Sequence, residues 1–201
     1  MSQHVSRRLL LTGAVAGLAA ISLPRPALAL TSGQATGLVD SAVADINAII
    51  ASGRSEAQMI RSFEGVFQRY GDTAYIAAFA LGNDRRGKTN AQLSAFSDAF
   101  GTYLARKYGR RFREFIGGQI EVQGARGVDN YIEVRTRAIL RGQAPFEVDF
   151  HVSDRPGRPA FFNIIIEGVN MLLAERTEVG AMLDRRGGNL DALIGDLRNA
   201  A

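Results

Sequence analysis

At Gln119 the spacing of apolar residues changes from a helical repeat of about 3.6 to an alternation of two, and near residue 169 it changes back. The alternating block holds three clear runs. Ile120 and Val122 alternate with Glu121 and Gln123; Ile132, Val134, Thr136 and Ala138 with Glu133, Arg135 and Arg137; Val148, Phe150 and Val152 with Glu147, Asp149 and His151. The turn signals "GARGVDN", "RGQAP" and "SDRPGRP" punctuate them. Links this short join antiparallel neighbours, so the block predicts a meander with one face solvated. A fourth run, at 160–166, breaks the pattern. Phe161, Phe162, Ile164, Ile165 and Ile166 are apolar on both faces, with Asn163 the lone interruption. A strand like this has something to bury on each side.

Before the block, Leu38, Val39, Ala42, Val43, Ile46, Ile49 and Ile50 recur at helical spacing over 36–51 and stop at Ser52-Gly53. Ser55 with Gln58 forms a capping box for a second helix bearing Met59, Ile60, Phe63, Val66, Phe67 and Tyr70. Gly71 ends it, and Asp72 caps a third helix through Leu81; "GNDRRGK" reads as a loop. Thr89 and Gln92 open a fourth, with Leu93, Phe96, Phe100, Tyr103, Leu104 and Tyr108. After the block come a helix from about 169 to 185 and a last one capped by Asn189. Four helices, four strands and two helices segregate into an α+β fold: a curved antiparallel sheet of four or more strands under amphipathic helices.

Residues 1–29 read as an export signal. A charged start leads into an uncharged run from Leu9 to Leu23, and Ala27-Leu28-Ala29 is a small-x-small cleavage site. Ser6-Arg7-Arg8 ahead of leucines resembles a twin-arginine signal. The uncharged run falls short of the ~20 residues that span a bilayer. The mature chain, 30–201, reads as one domain: mainly helical over 30–118, sheet over 119–167, helical over 168–201. The expected location is the periplasm.

Chemistry-bearing residues are few. Residues 1–29 hold Arg7, Arg8 and Arg25 and no acid, so the remainder carries 21 bases against 20 acids. That balance gives nucleic acid little to hold. Cysteine is absent, which excludes disulfides and thiol catalysis. One histidine in the mature chain makes a zinc site improbable, and no nucleotide loop occurs, so no cofactor is expected. Asp149 and His151, two apart on one strand face, are the best enzymatic pair, on a face read as solvated. The basic run "RKYGRRFRE", with Arg106, Lys107, Arg110, Arg111 and Arg113 around Tyr108 and Phe112, reads as a solvated helix end or as a docking surface for an acidic partner or anionic headgroup.

The segment from 161 onward carries a resemblance. "EGVN" at 167–170, Arg176 six residues later and the "LDALIGDL" tail stand where the MlaC family has Glu-Gly-Val-Ser, an arginine and its closing helix. "FEGVFQRY", "IAAFALG" and "AFGTYLARKYGRRFREF" follow in the family's order, so the resemblance spans nearly the whole mature chain. Departures are Pro159 for a Trp, Phe162 for a Tyr, Asn163 for an Asp and Asn170 for a Ser. The resemblance implies an NTF2-like curved sheet with added helices and a lipid cavity between them. It further implies a periplasmic carrier, not an enzyme, that shuttles a diacyl phospholipid as cargo between outer and inner membranes. Its partners would be an outer-membrane lipoprotein–porin complex and the substrate-binding subunit of an inner-membrane ABC transporter.

On this reading one face of the 160–166 strand serves the core and the other lines the cavity. Alternation nominates Ile120, Val122, Ile132, Val134, Val148, Phe150, Phe162, Ile164 and Ile166 from the sheet. The helices supply Phe96, Phe100, Tyr103, Leu104, Val169, Met171 and Leu172. Alternation does not separate pocket from core among them. Two other classes stay open: an exported NTF2-like enzyme using Asp149 and His151 on a small apolar substrate, and an adaptor that binds only proteins. For the signal, Arg7→Lys with Arg8→Lys is expected to hold the protein in the cytoplasm, and the exported chain to begin near Leu30. Fractionation with N-terminal sequencing checks both; normal export of the double variant would refute the twin-arginine reading.

Overall fold

The computed structural model describes residues 30–109 and 118–200. Residues 1–29, read above as an export signal, and Arg110, Arg111 and Arg113 of the basic run lie outside the described residues. Helices α1 (Ser32–Ala51), α2 (Glu56–Tyr70), α3 (Thr73–Leu81) and α4 (Asn90–Gly109) come first. Strands β1 (Gln119–Val128), β2 (Tyr131–Ile139), β3 (Phe146–Ser153), β4 (Ala160–Ile166) and β5 (Val169–Asn170) follow, then α5 (Met171–Arg185) and α6 (Leu190–Asn199).

The capping side chains define the helix starts. Thr89 N–H donates to Gln92 Oε1 at 3.2 Å and Gln92 N–H returns to Thr89 Oγ1 at 3.2 Å, a complete box at α4. Gln58 Oε1 accepts from Ser55 N–H at 3.1 Å before α2. Asp72 and Asn189 accept from Tyr75 and Ala192 N–H, each at 3.1 Å, at α3 and α6. The "GNDRRGK" loop begins as one 3₁₀ turn, Gly82–Arg85. Gly82 has φ +59, and a Cβ there would sit 2.8 Å from the Arg176 guanidinium. Arg176 uses that space to reach Phe79 O at 3.4 Å, tying α5 to α3.

The sheet is an antiparallel meander in the order β1-β2-β3-β4-β5. Its register lines up one apolar face: Val122 opposite Thr136, Thr136 opposite Val148, Val148 opposite Ile166, and Phe150 between Val134 and Ile164. Two features differ from the sequence expectation. Gly124–Val128 belongs to β1 and not to a turn, because a bulge between Val122 and Gly124 shifts the register and lets the pairing run on to Tyr131. Residues 169–170 are a two-residue strand and not helix, because Glu167 (φ +48) and Gly168 (φ +78) reverse the chain in a tight left-handed turn. A second bulge, between His151 and Val152, bends β3 against β4. The bulges bend the strands locally and increase their twist.

The core is split. The larger cluster joins the sheet to α1, α3, α4, α5 and α6, with Val134, Val152, Phe96 and Leu193 almost wholly buried. A smaller one, Ile46, Ile49, Ile50, Met59, Phe63 and Val66, lies between α1 and α2. The α2–α3 corner meets the sheet through its backbone: Asp72 N–H donates to Phe161 O at 2.8 Å, and Gly71 bridges Phe161. A Cβ at Gly71 would stand 2.7 Å from Phe67 O and 3.2 Å from the Phe161 ring. Gly71→Ala is therefore expected to cost about 1–3 kcal/mol in urea unfolding. An unchanged midpoint would show that the corner relaxes freely.

Candidate functional site

Between the two core clusters lies a cavity of about 730 Å³. Its floor is the apolar sheet face: Ile120, Val148, Phe150, Ile164 and Ile166, with Leu140 and Phe146 beside them. Its roof is Ala42 and Ile46 of α1, Val66 and Phe67 of α2, Ile76 of α3, Leu104 and Tyr108 of α4, and Met171, Leu172 and Glu175 of α5. Gln143, Ala144, Glu167 and Val169 line it and are exposed, so they mark the mouth. Val169 and Leu173, the exposed large apolar residues among those described, stand close together in sequence at this end. A space of this size and lining suits an apolar ligand, since volumes of roughly 300–1,000 Å³ are usual for ligand sites.

Of the residues nominated by alternation, Leu104, Ile120, Val148, Phe150, Phe162, Ile164, Ile166, Val169, Met171 and Leu172 line this cavity. Phe96, Phe100 and Tyr103 instead form a stacked row in the core, with centroids 5.6 and 6.0 Å apart. Val122, Ile132 and Val134 also pack into the core, on strands that α1 crosses. The contributions of α1, α2 and α3 were not nominated, because an apolar stripe looks the same whether it faces a neighbour or a void.

The bulge changes one detail of β4. Simple alternation puts Phe162 on the face of Ile164 and Ile166. The extra residue instead places Phe161 opposite Val152, with its ring 6.0 Å from Phe150 and 5.5 Å from Phe67. Phe162 turns toward Tyr75, Tyr131 and His151, at 5.5, 5.6 and 5.9 Å. Both rings border the cavity.

One stretch of wall is charged. Lys107 Nζ donates to Glu175 Oε1 at 2.8 Å and also to Glu178 Oε2. Tyr103 Oη donates to Glu178 Oε1 at 2.5 Å and Tyr108 Oη to Glu175 Oε1. Burial, then the bond to Glu178, pushes the Tyr103 hydroxyl up to about 12; burial and Glu175 push Tyr108 up further. Burial works against the Lys107 charge, but its bonds to Glu175 and Glu178 outweigh this and hold it above its ordinary value. The signal for this wall was a lone acid, Glu175, inside the apolar row Leu172, Val179 and Leu183. Arg106 of the same basic run donates to the carbonyls of Arg198 and Ala200 at the end of α6. Neither Arg106 nor Lys107 is a free solvated charge, contrary to the simplest reading of that run.

Residues 39–199 match the sequence model of the MlaC protein family. The chain belongs to the MlaC family. Its fold also matches the phospholipid-binding protein from Ralstonia solanacearum, solved in complex with a phospholipid. The TM-score is 0.71 at 20% identity, covering 83% of this chain and 96% of that one. At that identity the likeness is one of fold. As an MlaC-family member the chain has the curved antiparallel sheet and helical cover that its sequence led us to expect.

The Asp149–His151 pair lies on the other sheet face, away from Val148 and Phe150. That face is not open at His151, whose side chain is only 12% exposed. The Tyr131 ring lies against it at 4.5 Å, Asn163 Nδ2 approaches Nδ1 at 3.4 Å, and Glu133 Oε2 stands 3.8 Å from Nε2. Arg126 holds Glu133 through Nε at 2.6 Å. Asn163 Oδ1 accepts from Ile164 and Leu172 N–H at 2.9 and 3.1 Å, so the same amide anchors the first turn of α5. Asp149 Oδ1 is buried without a partner, and burial raises its carboxyl above the usual range.

Burial lowers the His151 pKa below its ordinary 6.5, with Glu133 opposing and Arg126 assisting. The unfolded chain therefore takes its proton first as pH falls, and stability is lost below about pH 6.5 toward the lowered folded value. Thermal midpoints are expected to fall between about pH 7 and pH 5, and His151→Gln to flatten that slope. A slope that persists in the variant would assign it to other groups.

Proposed function

We propose that this chain carries one diacyl phospholipid in the cavity, with its acyl chains against β3 and β4 and its headgroup at the mouth. The observation that carries the reading is the apolar space of about 730 Å³ held open between two separate cores. Family membership and the phospholipid in the structurally similar Ralstonia protein support it. The export signal and the family together support a periplasmic carrier moving lipid between outer and inner membranes. Its protein partners on this reading are an outer-membrane lipoprotein–porin complex and the substrate-binding subunit of an inner-membrane ABC transporter. The location of Asp149 and His151 on the face away from the cavity favours binding over catalysis.

Burying two acyl chains removes about 30 methylenes from water at ~0.8 kcal/mol each, on the order of 25 kcal/mol gross. Non-covalent affinity saturates near about −18 to −21 kcal/mol, so ordering of the chains and opening of the protein must offset part of that gain. Release into water is then very slow, and unloading requires an acceptor that opens the helices from the sheet.

Protein purified from cells is expected to carry about one phospholipid per chain by native mass spectrometry with lipid extraction. Ile164→Asp puts a charge on the cavity floor at a cost of several kcal/mol and is expected to empty the folded protein. Ile165→Asp, on the opposite face, is expected to lower stability with less selective loss of lipid. An empty wild type, or a folded Ile164→Asp variant with full lipid, would refute the carrier reading.

A further inference from the structure

Helices α4 and α5 meet differently from their neighbours. α4 packs along α2, α3 and α6, and α5 along α3 and β4, whereas α4 and α5 are joined by the long side chains of Tyr103, Lys107 and Tyr108 reaching Glu175 and Glu178. Leu104 and Tyr108 on one side of this seam and Met171 and Glu175 on the other all border the cavity. Glu175 sits one helical turn, about 6 Å, beyond Met171 and the rim at Val169. The seam is therefore a polar strip of cavity wall close to the mouth.

Two properties of the strip remain unbalanced. Among the described residues, Glu175 and Glu178 both take Lys107 as their ion-pair partner, so Glu175 shares its cation. Arg185 also favours the charged form of Glu178. In addition, Glu175 is 3% exposed, and its Oε2 is buried with no hydrogen-bond partner while Oε1 takes both Lys107 and Tyr108. A buried carboxylate oxygen without a donor is costly, and it recurs in proteins where a ligand completes the set. The terminal torsion of a glutamate is soft, so a donor arriving from the cavity can claim that oxygen with a small rotation.

We propose that this seam holds the polar end of the cargo, and that Glu175 takes a hydrogen bond from a primary ammonium on the lipid headgroup. The inference rests on the carrier reading above and adds a headgroup class to it. A primary ammonium supplies the missing N–H donor and brings a charge suited to a carboxylate that shares its cation. A trimethylated ammonium supplies the charge without a donor, and a hydroxylated anionic headgroup supplies a donor while bringing a negative charge up to two carboxylates.

The test loads the protein from vesicles that offer phosphatidylethanolamine, its N-methyl and N,N-dimethyl derivatives and phosphatidylcholine with identical acyl chains. Bound species are read by native mass spectrometry. Wild type is expected to favour the primary amine over phosphatidylcholine about tenfold, the weight of one charge-assisted hydrogen bond, with the preference declining at each methylation. Glu175→Gln is expected to bring the ratio to about one while keeping one lipid per chain. A loaded wild type with a flat methylation series, or a Glu175→Gln protein that keeps the preference, overturns the proposal. The wild-type series decides the matter even if the variant does not fold. A wild type that takes up none of the four lipids sinks the carrier reading itself, and the headgroup assignment with it.

Discussion

Two backbone groups at one corner tie the end of α2 and the start of α3 to the sheet. α2 packs on α1 and α4, and it meets the sheet at Phe161, through the Gly71–Asp72 backbone and the Phe67 ring. α1 lies across β1 and β2, and α5 across β4. Between them, Val148, Phe150, Ile164 and Ile166 present their side chains to the cavity, with Val66 and Phe67 of α2 in its roof. Arg158 reinforces the corner by donating to Gly71 O at 3.1 Å. Hinged there, the helices cover the concave face without filling it.

The two-sided strand follows from the same arrangement. Ile164 and Ile166 face the cavity, and the bulge at Phe162 lets two consecutive phenylalanines border it from different directions. Asn163 interrupts the run because its amide has work on both sides of the strand. Its oxygen fixes the start of α5 and its nitrogen meets His151 on the outer face. An apolar residue at 163 could not tie the cavity wall to the back of the sheet.

Much of this was legible beforehand, for reasons specific to each element. β2 and β3 alternate strictly, so their faces could be assigned from period alone, and the boxes at Ser55 and Thr89 marked helix starts because that chemistry is local. The extension of β1 was hidden, since Gly124 and Arg126 look like turn residues until pairing with Arg135 and Glu133 is known. β5 was hidden because two residues carry no period. The cavity roof was only half legible: Ala42, Ile46 and Val66 read as core, and nothing local in a helix records that the space opposite it is vacant. Glu175 was visible as an acid out of place, but its partners lie 67 and 68 residues away on α4.

The divided core has a consequence for how such a protein can let go of what it holds. Creating dry volume inside a protein costs about 24 cal/mol per Å³, so 730 Å³ of true vacuum would cost on the order of 17 kcal/mol. That exceeds the entire stability of a typical domain, about 5–15 kcal/mol. Water is a poor filling, because the lining offers it few polar groups. On the carrier reading, departure of the lipid is therefore expected to draw the helices inward over the sheet. On that reading the volume belongs to protein and lipid together, and the empty chain has reason to close it.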